Sequence, residues 1–76
     1  MDRQQFLAET DESYRPRWAV LMDKYGTQRV IAAWNAAEAA EQEYKRGTTH
    51  GDIISNARAD AFNSVIGDPE FDYRYF

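Results

Sequence analysis

Residues 27–46, TQRVIAAWNAAEAAEQEYKR, constrain what this chain can fold into more than any other stretch. Six alanines (Ala32, Ala33, Ala36, Ala37, Ala39 and Ala40) and the interspersed glutamates give it high intrinsic helicity. Thr27 is placed to cap the helix start, and Gly47 follows Lys45 and Arg46 as a terminating glycine behind a basic last turn. At helical periodicity Val30, Ala33, Trp34, Ala37, Ala40 and Tyr44 share one stripe, with Asn35, Glu38, Gln42 and Arg46 opposite. Glu38 with Gln42, and Glu41 with Lys45, are i,i+4 pairs on the wet side or its margin. The alanines let another backbone approach closely, while Trp34 and Tyr44 supply bulk. Such a helix is a centre against which others pack, with Trp34 expected to be buried mid-stripe.

The flanking segments supply partners for it. Residues 3–13 read as a first helix whose large apolar groups are Phe6 and Leu7. Pro16 suits the first turn of a new helix over 16–25, although Leu7, Tyr14, Trp18, Leu21 and Tyr25 would also share a face of one kinked helix. Gly26 and Thr27 then make a stop and a start, so helices 16–25 and 27–46 form a tight corner or an antiparallel hairpin. Thr49 and Asp52 resemble a capping box opening a helix over 50–66, with Ile54, Ala57, Ala61 and Val65 on its stripe and Ile53 and Phe62 at the margins. Gly67 and Pro69 stop it. In the remaining DPEFDYRYF, Phe71, Tyr73 and Tyr75 alternate with Asp72 and Arg74, a period of two that suits an extended segment. The expected architecture is all-α: one domain over residues 1–76, a bundle of three to four helices with an ordered aromatic C-terminal tail.

A chain of 76 residues builds one modest core, with a net stability on the order of 5 kcal/mol as a lone monomer. Self-association is a natural supplement, and a homodimer is the expected assembly. The absence of cysteine excludes disulfides and thiolate metal sites. MDRQQFLAET lacks the apolar region of a secretory signal, and no apolar run has the length to span a bilayer. A soluble cytoplasmic protein without a membrane partner is the expectation. The net charge of −4 disfavours nonspecific nucleic-acid binding, which needs clustered Lys and Arg, and permits basic partners.

Catalysis has no positive support. His50 is the single histidine and sits at the start of the last helix, without a second histidine or cysteine to share a metal. Glu38 and Glu41 lie one turn apart, but the Glu-x-x-His pairs of a di-iron bundle are absent. No Gly-x-Ser-x-Gly setting and no phosphate-cradling glycine loop occur. Neither an enzymatic activity nor a cofactor or metal is expected.

Two aromatic concentrations remain. Arg15, Arg17, Lys24 and Arg29 interleave with Tyr14, Trp18 and Tyr25, a mix able to stack bases and pair phosphates, or to be ordinary core and solvated surface. The second is the tail. Eleven aromatic residues (two Trp, five Tyr, four Phe) exceed what short helices need inside, and Tyr, Trp and Arg dominate interface hot spots. The candidate partner-binding residues are Tyr14, Arg17, Trp18, Phe71, Tyr73, Tyr75 and Phe76, with Tyr75 and Phe76 reaching furthest toward another chain. The expected function is a non-catalytic protein–protein interaction module of the size and acidity of phage or mobile-element inhibitor and accessory proteins. The alternative is a helical nucleic-acid-binding or transcription-regulating domain using the 14–29 patch.

Overall fold

A computed structural model, which describes residues 1–47 and 51–76, contains helices α1 (Arg3–Glu9), α2 (Arg15–Tyr25), α3 (Thr27–Lys45) and α4 (Gly51–Ile66). Short 3₁₀ turns cover Glu12–Tyr14 and Tyr73–Tyr75, and no strand occurs among the described residues. This is the all-α bundle with an ordered aromatic tail expected from the sequence. Thr49, and with it the expected capping box, and His50 lie outside the described residues.

The first break comes earlier than residue 13. Asp2 caps α1 by accepting from the Gln5 N–H at 2.8 Å, and the helix ends at Glu9. Its last carbonyls turn to side chains: Leu7 O accepts from the Thr10 hydroxyl (2.9 Å) and from Arg15 Nε (2.7 Å), and Ala8 O from Arg15 (3.3 Å). Orphan carbonyls satisfied in this way remove the incentive to continue. Asp11 then accepts from the Ser13 N–H at 2.9 Å and starts the 3₁₀ turn that leads into α2, where Pro16 occupies the first turn. The segments are two helices rather than one kinked rod.

A single residue joins α2 to α3. Gly26 has φ of 91°, a conformation that glycine adopts without strain. Because the chain turns at that one position, the cap of α3 is Gly26, and Thr27 is already inside the helix with no side-chain capping bond. The result is a sharp corner. At the far end Gly47 does not take the left-handed conformation expected of it; its N–H donates to Tyr44 O at 3.1 Å in a tighter turn. Gly67, with φ of 72°, does end α4 that way, donating to Asn63 O at 2.9 Å.

The most extensive helix contact is between α3 and α4, where Ala33 and Ala37 are fully buried. Val30 and Ile31 are buried as well, because α3 is covered by both α2 and α4 and its buried arc is wider than one stripe. Trp34 is only half-buried and Tyr44 is exposed, so the expected stripe is right in its first half and overextended in its second. On α4 the buried centre is Ala59, Phe62 and Ile66, while Ile54, Ala57, Ala61 and Val65 are half-buried and Ile53 is exposed. The shift has a cause outside the helix: the tail lies on the Phe62 side, and Tyr73 stacks on the Phe62 ring at 4.5 Å.

The tail is not extended. Glu70 N–H donates to Asp68 Oδ1 (2.9 Å) and Arg74 N–H to Asp72 Oδ1 (3.0 Å), so two aspartates fold it into successive tight turns. Phe71, Tyr73 and Phe76 consequently pack on the core, whereas Tyr75 is 86 % exposed.

Everything meets at Trp18, which is 4 % exposed. Its ring contacts Phe6 of α1 at 5.1 Å, Trp34 of α3 at 5.6 Å, Phe62 of α4 at 5.9 Å, and Tyr73 and Phe76 of the tail at 6.3 and 4.7 Å. Trp18→Ala should cost about 3–5 kcal/mol, as for a buried aromatic, which matches the whole stability expected of so small a domain. Circular dichroism melts should show no cooperative transition for Trp18→Ala and a retained, lowered one for Trp34→Ala. Equal melting of the two variants would refute the central place assigned to Trp18.

Candidate functional site

The surface of interest is built by the way the tail is fastened. Asn56, Asp60 and Asn63 stand at spacings of four and three on α4, and therefore on one face. Asn63 holds the tail with both ends of its amide: Nδ2 donates to Asp72 Oδ1 at 3.0 Å, and Oδ1 accepts from the Tyr73 N–H at 2.9 Å. The Arg74 guanidinium donates to Asn56 Oδ1 (3.0 Å), Asp60 Oδ1 (2.6 Å) and Asp72 Oδ1 (3.2 Å). On the other side, Tyr25 Oη donates to Asp68 Oδ2 at 2.6 Å, and Arg17 donates to the Phe76 backbone oxygen at 3.2 Å.

Fastened so, the tail leaves two depressions, one on each side of Phe76. A groove of about 630 Å³ separates the outer face of α2 from the tail. Its apolar lining is Val20, Leu21, Phe71, Tyr75 and Phe76, with Arg17 and Lys24 along the α2 rim and Glu70 and Asp72 along the tail rim. Val20 is 66 % exposed. A smaller recess, about 420 Å³, lies between the end of α1 and the tail and is lined by Glu9, Thr10, Asp11, Tyr14, Trp18, Trp34, Tyr73 and Phe76.

All seven candidate partner residues line one of these two depressions. Arg17, Phe71, Tyr75 and Phe76 belong to the groove, and Tyr14, Trp18, Tyr73 and Phe76 to the recess. Their availability differs. Tyr75 and Tyr14 are exposed, Phe71, Tyr73 and Phe76 are partly covered by the core, and Trp18 is floor rather than surface. Phe76, expected to reach outward with Tyr75, turns inward onto Trp18 instead. Sequence reasoning did not single out Val20 or Glu70, and it named Lys24 only within the basic patch over 14–29. The signal for Val20 was available: it stands two residues after Trp18 on α2, away from the face that carries Trp18, Leu21 and Met22.

Of the basic patch over 14–29, Arg17 and Lys24 share the groove rim, while other members are engaged elsewhere. Arg15 is spent on α1 carbonyls, Trp18 is interior, Tyr25 is tied to Asp68, and Asp23 pairs with Arg3 at 2.6 Å. Glu38 and Glu41, one turn apart on α3, share a cationic side chain. Both accept from Arg58, at 3.3 and 3.2 Å, and that guanidinium lies 4.9 Å from the centre of the Trp34 ring. The expected Glu41–Lys45 pair is present at 3.9 Å. Among the described residues no three His, Cys, Asp or Glu side chains converge on a metal-sized site, and no helix is long and apolar enough to cross a membrane.

No known protein family, curated protein or solved structure matches this chain.

The hydrogen bonds that fasten the tail are also its titratable elements. The Tyr25 hydroxyl holds the Asp68 carboxyl below its ordinary pKa, with the Glu70 N–H adding to it. The Arg74 N–H and then Asn63 do the same for Asp72, and Ser13 does so for Asp11. As pH falls, the unfolded chain binds these protons before the folded one. The stabilisation is therefore complete above about pH 4 and is lost progressively below it. Tyr25 runs the other way: Asp68 raises its pKa, so its contribution is full below about pH 10 and lost as pH climbs further. Melting temperature should be flat through neutral pH and fall on acidification below about pH 4. Asp68→Asn and Asp72→Asn should each make the acid limb shallower; limbs superimposable on wild type would show that these carboxyls do not couple to folding.

Proposed function

We propose that this chain is a non-catalytic protein-binding module whose contact surface is the groove between α2 and the C-terminal tail. The supporting observation is the pair Val20 and Tyr75, which remain largely exposed across a groove floored by Leu21, Phe71 and Phe76. Folding has covered nearly every other large apolar group near the tail. A rigid aromatic beside an aliphatic, over an apolar floor and inside a charged rim, is the composition of an interface centre. The rim also has a direction, basic on α2 and acidic on the tail. Two copies related by a two-fold axis running along the groove would set the basic rim of one against the acidic rim of the other, so a homodimer is the first partner to test. The narrower role of an inhibitor or accessory protein of a phage or mobile element is supported by small size and acidity alone.

The double variant Val20→Glu, Tyr75→Ser separates binding from folding, because both side chains are exposed and their replacement should move the melting temperature by only a few degrees. At concentrations on the order of tens of micromolar, typical of modest interfaces, sedimentation should give about twice the monomer mass for wild type and the monomer mass for the variant. Should wild type be monomeric, affinity capture from host lysate should recover a protein that the variant fails to hold. A monomer with no capture that depends on the groove would overturn the reading.

The nucleic-acid alternative makes an opposite forecast. We expect no DNA or RNA binding at physiological ionic strength. Binding that weakens steeply with salt, and on Arg17→Ala with Arg29→Ala, would move the assignment to that class.

A further inference from the structure

The recess between the end of α1 and the tail differs in chemistry from the groove. Five aromatic rings line it, and its charged lining consists of two carboxylates, Glu9 and Asp11; no basic side chain lines it among the described residues. Trp18 stands at 89° to Trp34 and at 60° to Phe76, while Tyr73 and Phe76 lie nearly parallel at 18°, so the rings present walls in more than one direction. Aromatic faces carry negative quadrupole charge and attract cations at about 6 Å or less. This fold already uses them so. Arg17 lies 5.1 Å from the centre of the Tyr14 ring and Arg58 lies 4.9 Å from that of Trp34. Yet Arg17 lines the groove and Arg58 a separate cleft beside Arg74, so neither enters the recess.

Neither carboxylate on its edge forms an ion pair among the described residues. Asp11 accepts from the Ser13 N–H (2.9 Å) and hydroxyl (2.7 Å), bonds that keep it ionised. A recess with ring walls and an anionic edge holds a negative potential; Arg15, the cation that acts on Asp11, is bonded to the Leu7 and Ala8 carbonyls and does not line the recess. Its donor set selects the kind of cation. Calcium and magnesium require several oxygen ligands around the ion, and ring carbons supply none. An unmodified lysine ammonium is strongly hydrated and gives up its water reluctantly. A methylated ammonium has a lower hydration cost and an apolar surface that fits against rings.

We infer that this recess binds a quaternary or otherwise methylated ammonium group, with the ring walls taking its alkyl surface and Glu9 and Asp11 balancing its charge. The head group is common to choline-type small molecules and to methylated lysine side chains. The site is separate from the groove and does not rest on the protein-binding reading.

Both tryptophans of the chain line the recess, so their fluorescence reports occupancy directly. The full chain is titrated with choline chloride, with dimethylbutanol as the neutral carbon isostere, and with sodium chloride to match ionic strength. A saturable change with choline, absent from both controls, is expected, with an affinity of about millimolar for so small a head group. Glu9→Gln and Tyr14→Ala, at exposed positions, should each weaken it by about threefold to tenfold without altering the melt. A trimethyllysine peptide and its unmodified counterpart then distinguish the sources. Tighter binding of the methylated peptide than of choline points to a protein side chain, and equal or weaker binding to a free small molecule. The inference fails if no saturation occurs below about 50 mM choline, if dimethylbutanol gives the same response, or if both variants titrate like wild type.

Discussion

The edge-to-face seat of Trp18 is the interaction on which the rest of this structure depends. One ring on α2 is touched by rings from α1, α3, α4 and the tail, at angles and distances that favour aromatic quadrupoles over a flat stack. That matters most at the ends of the chain. A helix of seven residues such as α1 is far below the length at which an isolated helix persists in water. The tail is shorter still in regular structure. Both are ordered because Phe6 at one end and Tyr73 with Phe76 at the other reach the same ring. The alanine face of α3 provides the complementary condition, since fully buried Ala33 and Ala37 let α4 come close enough to carry Phe62 into that cluster.

Apolar burial has no direction, and the path of the tail over the core is chosen by polar groups. Asn63 uses both its donor and its acceptor on the tail, and Arg74 spreads its donors over three oxygens. These bonds fix the turn that sends Tyr73 and Phe76 inward and Tyr75 outward. The candidate interface follows from that turn. An extended tail would have put Phe71, Tyr73 and Tyr75 on one side and left no groove with Tyr75 at its lip. Arg17, bonded to the Phe76 oxygen and lying by Tyr14, marks the boundary between the groove and the recess.

Much of the candidate site was named by residue type before its geometry was known. Aromatic excess and the Tyr, Trp and Arg preference of interfaces pick out Tyr14, Arg17, Phe71, Tyr73, Tyr75 and Phe76, and these do line the two depressions. Type alone does not separate a ring that faces solvent from one that faces the core. Trp18 and Phe76 satisfy the same preference as Tyr75, and they are interior because other elements converge on them. Glu9, Asp11 and Trp34 gain meaning only when the end of α1, the 3₁₀ turn and α3 are brought around one space, which no local spacing reveals.

The sequence by itself determined the elements that depend on local chemistry. Alanine-rich propensity set α3, Pro16 the first turn of α2, Gly26 the corner, and Gly67 with Pro69 the end of α4. These signals act within a few residues through backbone sterics and capping, so they are legible without a partner. The tertiary structure decided where contacts between distant residues compete with local pattern. It ended α1 at Glu9 through the Arg15 side chain, and it turned the buried face of α4 toward Phe62 because the tail lies there. It also replaced a period-two strand with two aspartate-capped turns held by Asn63. Periodicity records which residues are apolar; what covers them, and from which side, is a property of the assembled chain.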